Sequence, residues 1–376
     1  MISECAKCPV YVCRVGDREH GPEACPMQYD FPAAEGLYVD PDIRRVARVA
    51  ALVEAAGYRR WRRAEEVIEF ARRLGFYRLG VVSCSDMAGV AELYIDVLKK
   101  NGFETIRAGN SQGECEPVAH AALCNDRGTD LNILLGMCVG HDSMFIRHSK
   151  AWVTCLVAKD RFLVHNPVGA LYGANGYFSQ ALREHQTEQA GHADADMAAG
   201  QLAAAAKEVC SQGHGRWTRV EETMEFARKL GVIKLGLIFC AGFRYEAAIL
   251  TDILEANGFE VVSVGCKAGA VPKEWIGISD SEKVRPGRPE MICNPLAQAE
   301  LLNRSHTGLN ILMGQCVGHD SLSMKHSEAP VVCLIAKDRV LAHNTVAALY
   351  ESRGYLRSAL YQEHRTKERK GSHGGS

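Results

Sequence analysis

The sequence predicts two tandem Rossmann-like α/β units with mostly parallel sheets, preceded by a small Cys-rich metal-binding segment. Three observations carry this. Leu131–Ser143 (LNILLGMCVGHDS) recurs as Leu309–Ser321 (LNILMGQCVGHDS), identical at 11 of 13 positions. Short apolar runs alternate with amphipathic stretches in both halves, which is the pattern of a parallel sheet covered on both faces. Four cysteines crowd residues 1–30, where large apolar residues are few.

The duplication sets the boundaries. RWRRAEEVIEFARRLGFYRLGVVSC from Arg60 matches RWTRVEETMEFARKLGVIKLGLIFC from Arg216, an offset of 156. From Cys115/Cys293 onward the offset is 178, so the second copy holds 22 extra residues. The expected organisation is a Cys-rich segment at 1–39, a first repeat at 40–186, a linker at 187–200, a second repeat at 201–364 and a solvated tail at 365–376. The period is too long for a solenoid.

Within the first repeat, EEVIEFARRLG has helical apolar spacing and stops at Gly75. LGVVSC reads as a strand, and AELYIDVLKKNG as a helix with an Asn-Gly stop. ETIRAG, LNILLG and VTCLVA supply further strands, PVAHAAL and GYFSQALREH further helices. In the duplicated stretch, the run Leu309, Ile311, Leu312, Met313 fits a buried strand and Gly314 turns the backbone out of it. Loops at the carboxyl ends of parallel strands are where chemistry collects.

At 376 residues the chain is long enough for two cores, and 47% hydrophobic content with a net charge of -1 describes a globular protein. That balance leaves no footprint for nucleic acid or an anionic membrane. No apolar stretch approaches the ~20 residues a spanning helix needs. MISECAKC lacks a basic start and an apolar core, so it does not read as a signal peptide, and the expected location is cytoplasmic. The fifteen cysteines are then thiols in a reducing compartment: core residues, ligands or nucleophiles.

Cys5, Cys8, Cys13 and Cys25 are spaced C-x2-C-x4-C-x11-C, a set that closes a tetrahedral zinc site or holds an iron–sulfur cluster. In the second repeat, Cys240, Cys266, Cys293 and Cys316 fall at strand ends or helix starts, with His319 separated from Cys316 by two residues. Loops from adjacent parallel strands emerge on one edge, so these distant thiols are expected to meet. The first repeat keeps Cys84, Cys115, Cys138 and His141, with Asn110 where Cys266 stands. Cys115 and Cys293 precede Glu-Pro and Asn-Pro, hence helix starts, where free N–H groups favour the thiolate. Cys155 and Cys333 read as core, Cys124 (matched by Leu302) as buried, and Cys210, on an Ala-rich helix, as carrying no signal. Lys337, Asp338, Arg339, His343 and Asn344, together with Asp320, are candidates to bind an anionic or polar substrate group. A charged turn followed by an Asn helix cap would read the same way.

FCAGF, GCKAG, CNPLAQAELLN, GQCVGHDS, AKDRVLAHN and AALY in the second repeat resemble the DUF1847 family of uncharacterised predicted metal-binding proteins. The N-terminal C-x2-C…C…CP segment is similar to that family's opening, and the first repeat looks like a diverged relative. The resemblance implies metal binding and supplies no reaction. The expectation is a metal-binding protein carrying iron–sulfur (4Fe-4S) clusters, in redox or sulfur chemistry on a small molecule, working with a small-molecule substrate or a redox partner protein. The alternatives are a zinc-stabilised binding or sensor module without catalysis and a metal-free thiol enzyme.

Overall fold

The computed structural model describes residues 3–23, 25–28, 34–109, 115–183 and 199–361. Asn110, the linker up to residue 198 and the tail from 362 lie outside the described residues. Eight strands form two four-stranded, all-parallel sheets: β1 (Arg78–Val82), β2 (Glu104–Ala108), β3 (Leu131–Met137) and β4 (Trp152–Ala158) in the order β2-β1-β3-β4, and β5 (Lys234–Phe239), β6 (Glu260–Gly265), β7 (Leu309–Met313) and β8 (Val331–Ile335) in the order β6-β5-β7-β8. Central β3 and β7 are buried along their whole length, as continuous apolar runs demand when helices cover both faces. Register shifts break the β3–β4 pairing beyond Leu134 and the β7–β8 pairing beyond Leu312. Such irregularities turn the strand end outward, and here they lead into the two cysteine loops. No helix among the described residues is long and apolar enough to cross a membrane.

Each sheet is preceded by a helical hairpin: Pro41–Gly57 with Arg63–Arg73, and Ala199–Gly213 with Arg219–Lys229. The second helix of each hairpin carries a Glu three residues past its N-cap (Glu65 after Arg62, Glu221 after Thr218), whose carboxylate accepts from the cap's N–H. These second helices lie on their own sheet, while the first helices cross to the other repeat. Helix Pro41–Gly57 packs against helix His319–His326, and helix Ala199–Gly213 against helix His141–His148. The 22-residue insertion continues the exchange: Arg44 donates to the Trp275 carbonyl (2.8 Å) and Arg48 to the Gly277 carbonyl (3.0 Å).

This exchange explains the glycine before each His-Asp. Gly140 and Gly318 both have φ of +83°. A Cβ on Gly318 would meet Phe70 at 2.4 Å and Ala50 at 2.8 Å, both from the first repeat; on Gly140 it would meet Phe226 and Ala206 from the second. Left-handed backbone and a close neighbour act together there.

At the junction two guanidinium groups are fully buried. Arg63 donates to Asp320 Oδ2 at 2.6 Å, to the Gln315 carbonyl at 2.7 Å and to the Cys155 carbonyl at 3.1 Å. Asp320 also accepts from Thr154 Oγ1 (2.7 Å) and the Gly318 N–H (3.0 Å). Arg219 repeats the pattern with Asp142 Oδ2 (2.5 Å) and the carbonyls of Cys333 and Lys159. The aspartate of each HDS motif is therefore the counter-ion of the other repeat's arginine. Asp320 is not a substrate ligand, because its carboxylate is enclosed in these bonds.

An Arg63→Met variant strands a buried carboxylate and is expected to lose about 3–5 kcal/mol of unfolding free energy in urea titration. Pairing it with Asp320→Leu should recover much of that loss, since the apolar pair leaves no uncompensated charge.

Candidate metal centres

In the second repeat the sulfurs form a connected row at the carboxyl edge of the sheet. Cys240 follows β5, Cys266 follows β6, Cys316 lies in the loop after β7, and Cys293 precedes helix Pro295–Arg304. Cys293 and Cys266 Sγ are 3.7 Å apart, and Cys240 contacts both Cys266 and Cys316. His319 hydrogen-bonds Cys316 and begins the next helix. Gly314, at φ +66°, makes the turn that brings this loop round: a Cβ there would strike Phe243 at 2.1 Å.

The sulfurs are ringed by donors. Lys337 Nζ is 2.7 Å from Cys240 Sγ and 3.7 Å from Cys316 Sγ, and Arg339 Nη2 is 3.0 Å from Cys316 Sγ. The Ala241 N–H donates to Cys266 Sγ at 3.2 Å. The hydrogen bond shared with Cys266, and then the Lys267 ammonium, pull Cys293 down to about 6 despite burial. Burial works against charge on His319, but Cys316 and Cys293 outweigh it and raise the imidazole to about 9. Glu54, from the first repeat's crossing helix, sits 3.5 Å from Cys316 Sγ and 2.7 Å from Arg339. Above the row opens a cavity of about 650 Å³.

The N-terminal segment docks beside this rim. Glu4 bridges to Ser263 on the outer edge of β6, Ser3 Oγ donates to the Ser263 carbonyl at 2.9 Å, and the Ala6 N–H donates to Ser263 Oγ at 3.0 Å. Cys5, Cys8, Cys13 and Cys25 line one small cavity with Tyr11 and Met27. Burial, and after it the neighbouring thiols, raises Cys5 to about 11 and Cys13 to about 12. Cys5 takes a hydrogen bond from the backbone of Gly265, the residue before Cys266, so the two sulfur sets share one strand end. Tyr11 lines both cavities.

The first repeat holds a parallel assembly. Cys84 and Cys138 Sγ lie 3.4 Å apart, and one donor atom each from Cys84, Cys115 and His141 falls within 4.8 Å of the others, a group able to hold a metal ion. A sulfur that the sequence analysis did not count among the ligands completes it: Cys210 Sγ is 3.9 Å from Cys138 Sγ, and Arg161 Nη2 bridges the two at 3.2 and 3.8 Å. Cys210 therefore belongs to this rim, correcting its reading as an uninformative helix residue. It arrives on the second repeat's crossing helix, at the offset position of Glu54. That equivalence of 156 is visible in the sequence, but its meaning appears only once the helices exchange. The contact with Cys84 brings Cys115 down to about 4, aided by the neighbouring His120 and His141. His120 is buried with its imidazole against Cys115, and His141 Nδ1 has no hydrogen-bond partner among the described residues. Soft sulfur donors with imidazole nitrogens beside them are the donor set zinc or an iron–sulfur centre takes.

Of the remaining candidates, Lys337, Arg339 and His343 line the second cavity. Asp338 does not: it is buried and caps helix Arg63–Arg73 of the other repeat by accepting from the Arg63 N–H at 2.9 Å. Asn344 is not among the cavity-lining residues, its backbone closing the turn onto Leu341. Cys155 and Cys333 are core residues beside the buried arginines, and Cys124 packs under β1 against Gly80. His148 and His326 bond back to carbonyls of their own helices.

Cys210→Ser, in a background carrying Cys5→Ser, Cys240→Ser and Cys316→Ser, is expected to weaken zinc binding by about tenfold or more, the range of loss seen even for outer-shell partners. Competition against a chromogenic chelator reads this directly. Unchanged affinity would make Cys210 a neighbour and not a ligand.

Comparison with known proteins adds a family and little chemistry. A stretch of 143 residues, 38% of this chain and 72% of the relative, is 45% identical to an uncharacterised protein of Methanocaldococcus jannaschii. Among solved structures, a Dph2 from Pyrococcus horikoshii with a 4Fe-4S cluster aligns over 73% of this chain and 88% of its own at 12% identity, with a TM-score of 0.23. An aspartate racemase homologue from Pyrococcus horikoshii OT3 aligns over 73% and 97%, also at 12% identity, with a TM-score of 0.19. Superpositions this loose carry no argument about function. The family model described as protein of unknown function (DUF1847) matches residues 27–109, 104–156 and 179–334, in both repeats. The chain belongs to the DUF1847 family.

Proposed function

We propose that this protein is a cytoplasmic metal-binding protein whose second rim carries out redox or sulfur chemistry on a small molecule. The observation that carries the reading is the row Cys293–Cys266–Cys240–Cys316, drawn from four loops onto one open edge and met there by Lys337 and Arg339. A purely structural thiolate site has no use for an adjoining cavity of about 650 Å³. All fifteen cysteines are free thiols, which suits a reducing compartment.

An iron–sulfur cluster is the occupant we favour for the second rim, with Cys240, Cys266, Cys293 and Cys316 as holders. When bound, such a group supplies one-electron chemistry or a Lewis-acidic iron. The chain's own residues do the rest. Lys337, Arg339 and the Ala241 N–H donate to sulfur, which offsets negative charge and sets the potential. Glu54 holds Arg339 in place. The N-terminal thiols, one residue from Cys266 through the Gly265 backbone, offer an entry point for electrons from a redox partner protein.

Zinc is the second reading, and a specific observation favours it: the 3.7 Å separation of Cys293 and Cys266 suits one tetrahedral ion with metal–sulfur bonds of about 2.3 Å. Elemental analysis and optical spectra of anaerobically purified protein separate the two. Iron with acid-labile sulfide and a visible band bleached by dithionite is expected, and Cys293→Ser and Cys316→Ser should each remove most of the second rim's share. Colourless protein with stoichiometric zinc would establish the zinc-stabilised module. Metal-free protein would overturn both.

If the centre is redox-active, Lys337→Met should lower its reduction potential, because a cation that donates to sulfur stabilises the reduced state. Potentiometric titration of variant and wild type checks the sign.

A further inference from the structure

The second cavity carries positive charge in excess of what its sulfurs use. Its lining includes Arg14, Arg59, Arg244, Lys267, Lys337 and Arg339, with Glu54 as the one carboxylate, already bound to Arg339. Lys337 and Arg339 are committed to sulfur, and Lys267 donates to the Met291 carbonyl at 2.6 Å. Arg14, Arg59 and Arg244 remain. All three are exposed at the mouth, and no carboxylate among the described residues pairs with any of them.

These arginines come from three separate elements: the N-terminal segment, the turn between helices Pro41–Gly57 and Arg63–Arg73, and the start of helix Arg244–Ala256. Arg59 holds a φ of +56°, a conformation a long side chain adopts only when its surroundings impose it. The Arg244 guanidinium lies 5.5 Å over the Tyr11 ring, and Arg339 lies 5.1 Å over Tyr58, so two forks are held in place before any ligand arrives.

The first rim shows that this excess is not a consequence of the fold. The positions offset by 156 from Arg59 and Arg244 are Gly215 and Ala88. The first cavity is lined by Asp86 and Glu116 against Arg161 and Lys207, and Asp86 forms ion pairs with both Lys159 and Arg161. Among the described residues, arginines without a carboxylate partner line the second cavity and not the first.

We infer that the second cavity binds a small organic polyanion, carrying phosphate or carboxylate groups, with Arg59 and Arg244 gripping the charged end at the mouth and the rest directed toward the thiolate row. Guanidinium forks match both anions bidentately, and a cavity of about 650 Å³ holds a compact metabolite. This deepens the reading of the second rim as a reactive site by naming its substrate class.

The test is calorimetric titration of the full chain as purified, with inorganic pyrophosphate and with citrate as probes, metal content being measured on the same samples. Binding of at least one probe is expected, weakening with added salt. Arg59→Gln and Arg244→Gln should each lower affinity about tenfold with metal content unchanged, while Arg127→Gln, on the far side of the first repeat, leaves it intact. Preference for pyrophosphate or citrate identifies which anion the mouth is built for. Failure of both probes to bind, or equal weakening by Arg127→Gln, overturns the inference. Arg59-dependent anion binding to protein without metal would sustain it and sink the metal reading instead.

Discussion

The structure depends on two buried guanidinium groups crossing between the repeats. Burying an arginine and an aspartate costs several kcal/mol per ion unless nearly every donor and acceptor is matched. Arg63 meets that condition with partners from both repeats: Thr154 and the Cys155 carbonyl from its own, Asp320 and the Gln315 carbonyl from the other. Asp320 accepts from the same Thr154 and from the N–H groups of Gly318 and Ser321. Neither half can satisfy these groups alone, so each repeat's interior is finished by the other. The pair thereby fixes the register of the two lobes, and with it the loops that carry Cys138 and Cys316.

Because the hairpin helices cross over, each rim is built from both halves of the chain. Helix Pro41–Gly57 delivers Glu54 to the second rim, and helix Ala199–Gly213 delivers Cys210 to the first. Duplication alone would give two equal rims. The crossing position is one place where they differ, supplying a carboxylate that holds Arg339 in one and a fourth sulfur in the other.

How far the sequence reached follows from this. The alternation of strand and helix, the parallel sheets and the gathering of strand-end cysteines were legible, because periodicity and parallel-sheet topology are local properties repeated twice. The role of the HDS aspartate was not. Asp142 and Asp320 look like functional residues in a loop, and only the arginine 257 positions away, for Asp320, shows them to be structural. Cys210 was missed for the same reason: nothing in an Ala-rich amphipathic helix says which sheet it will cover. Its alignment with Glu54 was available, but an acid matched to a cysteine gains meaning only when both face a sulfur row. His120 was hidden too, standing where the second repeat has Gln298, whose amide donates to the Phe239 and Val264 carbonyls.

The two rims also divide the same lysine differently. In the first, Asp86 takes Lys159 and Arg161 into ion pairs, leaving Lys159 Nζ 3.7 Å from Cys138 Sγ. In the second, the position of Asp86 is Gly242, and Lys337 Nζ, at the same 3.7 Å from Cys316 Sγ, lies 2.7 Å from Cys240 Sγ with no carboxylate at that position to share it. A carboxylate beside a thiolate row cancels the cation that would stabilise negative charge on sulfur; removing it leaves that cation fully engaged. The first rim is thus internally balanced, with its charges spent on one another and a sulfur from each repeat. The second keeps its cations on sulfur and, at the mouth, three more that no carboxylate among the described residues pairs with. Charge left unspent next to an open cavity is what a binding site retains and a structural staple has no reason to keep.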